Sequence, residues 1–140
     1  MEFEDYTEQQ AFEFAKSIEA LIKKVRELKS QGYADEAIQT VDLGLPGLLN
    51  HNIEDIISKP PDTLLPNILT EPGINNKNLD QLAGLFLETG HLFELRHDKE
   101  TSKRFFTRSL CIYQYLLKAE VDFPYDRHLK IKELKELLLQ

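Results

Sequence analysis

The apolar residues between Thr7 and Gln31 recur three or four positions apart, in the order Ala11, Phe14, Ile18, Leu21, Val25 and Leu28. Because an α-helix completes a turn about every 3.6 residues, this spacing places them on one stripe of a long helix. The capping-box pair Thr7 and Gln10 predicts its start, and Gly32 predicts its end. A heptad sustained over this length also favours dimerisation of the helix.

Helical periodicity continues beyond the first helix. A second helix is expected from residue 34, ending or kinking near Gly44 because the ring of Pro46 cannot donate a backbone hydrogen bond. Residues 51–78 then change in composition, with four prolines and a glycine. We expect an irregular connector there that still carries apolar anchors, namely Ile56, Ile57, Leu64, Leu65 and Ile68.

Short helical turns are expected within the connector at 53–58 and 63–69, the second capped by Asp62. Asn78 is expected to cap the next long helix, which ends near Leu95.

A turn over 96–98 then leads to another long helix, and Pro124 separates that helix from the last one. Since no segment alternates as a strand does, the sequence predicts a single all-α domain. Its parts are a helical hairpin over about 7–50, the connector 51–78, a second hairpin over about 79–120 and an amphipathic C-terminal helix over about 126–139.

Net charge and cysteine content limit the partners and the cellular compartment that are expected for this chain. The 140 residues carry a net charge of −7, which disfavours nucleic acid and anionic membranes as partners. Cys111 is the only cysteine, so no internal disulfide can form. The acidic start of the chain does not resemble a secretory signal, and no apolar run reaches membrane-spanning length. We therefore expect a cytoplasmic protein.

A repeat is visible when the two predicted hairpins are aligned. The second contains Phe86, Gly90, Phe93, Ser102 and Phe106 at the spacings of the tetratricopeptide pattern, with a small residue, Ser109, three positions further on. The first contains Leu21, Val25, Leu28, Ala37 and Val41 in the same frame. Small residues at such positions let two helices approach closely while large ones fill the remaining space.

In this respect the chain resembles tetratricopeptide-repeat proteins, and its layout is similar to that of a family of small bacterial proteins with a tetratricopeptide-like fold. The resemblance implies antiparallel helical hairpins whose first helices line a concave face. It implies no catalytic residue.

Three groups of residues could suggest chemistry instead. Glu88 and His91 share a helical face, as metal ligands do in carboxylate-bridged bundles, but no second such pair exists. His97 and Asp98 fit a turn, because histidine tolerates left-handed backbone geometry. Cys111 lies in an apolar run and is expected to be a small packing residue. We therefore predict no catalytic residue, cofactor or metal.

The basic first half of the second long helix, with Lys99, Lys103, Arg104 and Arg108, could hold a phosphate or an acidic peptide. Pairing with Glu88, Glu94, Glu100 or the acidic first helix is the favoured alternative.

The leading functional hypothesis is a non-enzymatic scaffold or adaptor that binds a protein or peptide on the concave face. The alternatives are a self-associating helical protein that forms a homodimer, and a bundle that binds a metal or small molecule at Glu88 and His91. The residues expected to face a partner are Glu19, Ile22, Arg26, Lys29, Leu87, His91 and Glu94.

Overall fold

A computed structural model describes the backbone of residues 2–119 and 125–140, and the side chains from Thr7 onward within those ranges. The predicted Pro124 break and the assignment of Glu120 to a helix lie outside the described residues. Within them every regular element is a helix, which confirms the all-α prediction. The helices are α1 (Glu2–Ser30), α2 (Ala34–Leu49), α3 (Ile53–Ser58), α4 (Pro61–Leu69), α5 (Asn76–Leu95), α6 (Lys99–Ala119) and α7 (Tyr125–Leu139).

The turns between the long helices follow the sequence closely. Gly32 adopts a φ of 84° directly after α1, a conformation that glycine reaches without steric cost. His97 adopts a φ of 61° between α5 and α6, which confirms the predicted turn. Asp98 then caps α6, since its Oδ1 accepts a hydrogen bond from the Thr101 N–H at 3.1 Å.

Two helix boundaries differ from the prediction. α1 begins at Glu2, so Thr7 lies inside the helix, because no proline or glycine interrupts the residues before it. α2 does not end near Gly44 but continues through Pro46 to Leu49. The buried side chains of Leu45 and Leu49 keep this last turn helical, since packing compensates for the hydrogen bond that proline removes.

Two predicted caps are also wrong. α4 starts at Pro61, so Asp62 lies in its first turn and does not cap it. Proline takes that first position because its missing N–H would have no partner there. For α5 the capping side chain is that of Asn75, which accepts from the Asn78 N–H at 2.8 Å.

Close helix contacts involve the residues of the repeat frame. A Cβ atom added to Gly90 would lie 2.4 Å from a ring carbon of Phe106, so α5 and α6 can approach this closely only with glycine there. Ser109 donates a hydrogen bond from α6 to the Ala83 carbonyl of α5 at 2.7 Å. In the first pair, a Cβ on Gly44 would lie 2.9 Å from a methyl carbon of Leu21. The small residue at Gly90 therefore sets the separation of α5 and α6, whereas at Gly44 the flexible end of the Leu21 side chain can move aside.

The connector is fastened to the long helices at two points. Gly73 is buried with a φ of 86°, and a Cβ there would lie 2.8 Å from the Gln10 carbonyl oxygen. Asn78 is buried beside it and donates to the carbonyls of Gly73 and Ala11, at 2.6 and 3.1 Å. This amide therefore joins α1, the connector and α5.

The second point is Arg108 on α6, which is 7% exposed. Its guanidinium donates to the carbonyls of Ile56 at 2.8 Å, Ile57 at 3.1 Å and Lys59 at 2.6 Å. These carbonyls lie at the C-terminal end of α3, where backbone acceptors lack partners and the helix dipole favours a cation. The predicted apolar anchors of the connector are buried or half-buried around it.

α1, α5 and α7 run in the same direction. Glu19 of α1 contacts Gln81 of α5, and seven residues further along both helices Arg26 contacts Glu88. The two helices are therefore parallel. Arg127, near the start of α7, contacts Asp80 near the start of α5. α2 packs against α1 and α5, whereas α6 packs against both α5 and α7. The three parallel helices line one shared surface.

Candidate functional site

A groove of about 890 Å³ lies between α1 and α7, with α5 as its floor. Charged side chains dominate its walls, and its floor combines polar groups with Gly84 and Leu87. The charged ones are six carboxylates and four cations, namely Glu19, Glu27, Asp80, Glu88, Asp126 and Glu133, and Lys23, Arg26, Arg127 and Lys130. The remaining lining residues are Ile22, Gln81, Gly84, Leu87, Tyr113 and Leu129.

The α1 wall is tied to the floor by polar contacts. Glu88 on α5 lies 3.6 Å from Arg26 and 3.4 Å from Lys29, both on α1. Toward the other end, Gln81 donates to a carboxylate oxygen of Glu19 at 3.1 Å. Such partly exposed contacts contribute little to stability, about 0.5 kcal/mol each, but they hold the wall side chains in place.

The α7 wall is held by a more buried contact. Arg127 is 6% exposed, and its Nε lies 2.9 Å from Oδ1 of Asp80 on α5. Because a buried guanidinium without partners would be strongly unfavourable, this pair fixes the start of α7 beside α5. Leu129 and Lys130, on the next turn, are thereby placed along the groove.

The structure brings together four of the seven predicted partner-facing residues. Glu19, Ile22, Arg26 and Leu87 line the groove. Lys29 lies at its edge through the contact with Glu88.

His91 and Glu94 lie beyond the groove. His91 Nδ1 is 2.8 Å from Glu94 and Nε2 is 3.6 Å from Glu133. The imidazole also packs edge-on against Phe106, with ring centroids 5.2 Å apart.

The floor contains one buried phenol. Tyr113 reaches the groove from α6 and is only 3% exposed. Burial, assisted by the nearby carboxylate of Asp80, raises the pKa of Tyr113 above its ordinary value. The phenol therefore stays neutral and offers the groove a hydroxyl group, not a charge.

We expect this burial to be measurable as a pH dependence of stability. Above about pH 10 the unfolded chain loses the Tyr113 proton before the folded chain does, so the free energy of unfolding falls as pH rises. Tyr113→Phe removes this contribution. Between pH 10 and 11 the variant should lose up to about 1 kcal/mol less stability than the wild type, measured by urea denaturation.

Tyr125→Phe is the matched control, because Tyr125 is 74% exposed. Equal alkaline loss of stability in wild type and Tyr113→Phe would contradict the assignment of a buried neutral phenol.

The residues that suggested other chemistry are distributed over separate sites. Glu88 contacts the α1 cations, whereas His91 contacts Glu94 and Glu133. Across the described residues, no group of three or more His, Cys, Asp or Glu is arranged to hold a metal ion. Cys111 lies on the other side of α6, against Leu64 of α4, and burial raises the pKa of its thiol.

The basic half of α6 does not act as one patch. Arg104 contacts Glu100 at 2.8 Å, as predicted, and Lys99 donates to the Gln140 carbonyl at 2.6 Å. Arg108 instead binds the connector, because its side chain points to the free carbonyls of α3.

Sequence reasoning missed the whole α7 wall, together with Lys23 and Glu27 on α1 and Asp80, Gln81, Gly84 and Tyr113 on the floor. It assigned α7 only as an amphipathic C-terminal helix. One signal was present. Gly84 is a glycine inside a predicted helix that the repeat frame, which accounts for Gly90, does not explain.

No protein-family model, curated protein or solved structure matches this chain. The tetratricopeptide resemblance therefore stays a prediction. Among the described helices, none combines the length and apolar character needed to cross a bilayer.

Proposed function

We propose that this protein is a non-enzymatic interaction module, a scaffold or adaptor that binds a protein or peptide in the groove between α1 and α7. The observation that supports this most directly is the groove itself. Its volume of about 890 Å³ exceeds what the packed interior of a small domain leaves empty. Its walls combine fixed charges with the partly exposed side chains of Ile22 and Leu129.

A tetratricopeptide-like arrangement is part of the proposal. In such an arrangement the first helices of successive hairpins run parallel and line a concave face. α1 and α5 are the first helices of the two predicted hairpins, and α7 takes the place of a third. The parallel contacts of Glu19 with Gln81 and of Arg127 with Asp80 support this assignment.

The proposal is tested by placing a polar group in the groove without disturbing the core. Leu129 is 47% exposed on the α7 wall, so Leu129→Asn should fold normally. Burying its amide against a partner without a hydrogen bond should weaken binding at least about tenfold, whatever the charge of the partner. The measurement is the amount of each native co-purifying protein that the immobilised wild type and variant retain, quantified by mass spectrometry.

Leu43→Asn is the matched control, because Leu43 is 74% exposed on α2 and does not line the groove. A partner retained by wild type and Leu43→Asn but lost with Leu129→Asn supports the proposal. Equal retention by all three proteins, or equal loss with both variants, contradicts it.

The self-association alternative loses its original motivation. It rested on the heptad of α1 and on the amphipathic C-terminal helix. Phe14, Ile18 and Val25 of the heptad are at most 7% exposed within the chain itself, and Ile131 and Leu134 of α7 are at most 8% exposed. Light scattering at tens of micromolar tests a homodimer directly.

A further inference from the structure

Gly84 lies in the middle of α5, on the groove floor, with no internal reason to be glycine. A Cβ atom there would meet only the Tyr113 hydroxyl, at an ordinary contact distance of 3.8 Å. By contrast, the Phe106 ring excludes any side chain at Gly90. Since glycine inside a helix costs about 1 kcal/mol relative to alanine, Gly84 destabilises α5 with no packing gain. Its absent side chain widens the groove instead.

A polar atom at the same place lacks a partner. Tyr113 is 97% buried, and its hydroxyl lies at the floor of the groove. Gln81 is oriented by donating its amide N–H to Glu19, which leaves Oε1 buried and without a partner among the described residues. Buried polar groups are normally hydrogen-bonded, so the Gln81 oxygen points to a missing ligand. An amide oxygen can only accept, and the ligand must therefore bring an N–H or O–H donor.

The size of the groove matches a helix. It extends along α1 from Glu19 to Glu27, a rise of about 12 Å. A helical segment of about eight residues spans the same length. Phe12 is 63% exposed and precedes Glu19 by a heptad, so the same face of α1 continues past the groove.

The charge of the groove favours a ligand of positive charge. Its lining has two more carboxylates than cations, and two of the four cations are already held by Glu88 and Asp80. The chain as a whole carries −7. A basic segment is therefore attracted to the groove, whereas a second copy of this acidic chain is repelled.

Resting on the proposed function, we infer that the groove binds a basic amphipathic helix of a partner protein. The helix crosses Gly84 with a small or apolar residue, packs its apolar face on the exposed parts of Ile22 and Leu129, and places a lysine or arginine at Gln81 and Tyr113. It thus completes a four-helix arrangement over the three parallel helices.

The test uses the full chain and a phage-displayed library of random 16-residue peptides. Selection is carried out on wild type, and the enriched peptides are then measured by fluorescence anisotropy and circular dichroism. Gly84→Leu fills the floor and should weaken binding at least about tenfold. Because leucine favours helix, its melting temperature should rise by about 3 °C. Gly47→Leu is the matched control, since Gly47 lies exposed in α2 with nothing within 4 Å of an added Cβ.

Support consists of enriched peptides with net positive charge and apolar residues three or four apart, which gain helix on binding and tolerate Gly47→Leu but not Gly84→Leu. Enriched peptides that are acidic or stay extended, yet bind less well to Gly84→Leu and Leu129→Asn, overturn the helix inference and leave the proposed function standing. Binding that neither substitution weakens, or a library that yields no binder, overturns both the helix inference and the proposed function. A dimer that Gly84→Leu dissociates would identify a second copy as the occupant and overturn the inference.

Discussion

Gly90→Ala should lower the free energy of unfolding by about 2 kcal/mol, although alanine is the better helix former. The added methyl would lie 2.4 and 2.6 Å from two ring carbons of Phe106. That ring is 1% exposed and cannot move aside without displacing its neighbours, so α5 and α6 must separate. Urea denaturation monitored by circular dichroism measures the effect, and we expect a melting temperature lower by about 8 °C.

Gly47→Ala is the matched control, and it should change the free energy of unfolding in the opposite direction. Gly47 also lies inside a helix, but no atom surrounds its missing side chain, so alanine should stabilise by about 0.5 kcal/mol. A double-mutant cycle that combines Gly90→Ala with Phe106→Leu isolates the contact between these two residues. The smaller side chain leaves room for the methyl, and the double variant should lose at least about 1 kcal/mol less than the sum of the single losses. A Gly90→Ala protein as stable as wild type would show that this glycine does not set the helix separation.

Arg108→Met should cost about 3 kcal/mol. Methionine preserves much of the volume of the side chain but none of its donors. The carbonyls of Ile56, Ile57 and Lys59 would then lose their charged partner at the end of α3, and solvent would have to enter to satisfy them. Arg108→Lys keeps the charge but has a single ammonium in place of the planar guanidinium, so we expect an intermediate loss.

Arg104→Met is the control for Arg108→Met. Arg104 is one turn earlier on α6 and makes only an exposed contact with Glu100, at 2.8 Å, worth less than about 0.5 kcal/mol. Hydrogen exchange should place the loss from Arg108→Met in α3 and α4, since those helices are held by this side chain. Equal destabilisation by the two methionine variants would contradict the role of Arg108 as the anchor of the connector.

The local course of the chain was predictable because periodicity, turns and small residues act at short range. The apolar stripe of α1 and the left-handed turn at His97 follow from neighbouring residues alone. The frame that aligned Gly90 with Phe106 also anticipated a close helix pair, since it depends on spacing within one hairpin. The errors at Thr7, Pro46 and Asp62 concern helix ends, where a few tenths of a kcal/mol decide the boundary.

Contacts between distant segments were not predictable in the same way. Asn78 is a residue type that often caps helices. Its side-chain amide instead donates hydrogen bonds to the carbonyls of Ala11 and Gly73, and no local rule identifies either partner. Arg108 was indistinguishable from Arg104 in sequence, and only the position of α3 separates their roles.

The sequence by itself therefore determined the helical class, the order of the long helices and the small residues that let them pack, because each depends on interactions within a few turns of chain. Only the tertiary structure decided that α7 lies parallel to α1 across α5. That placement depends on the packing of α7 against α6 and on the long-range pair of Arg127 with Asp80, and it creates a groove with Gly84 and Tyr113 at its floor. A groove is a property of the space between helices, which local spacing along the chain does not define.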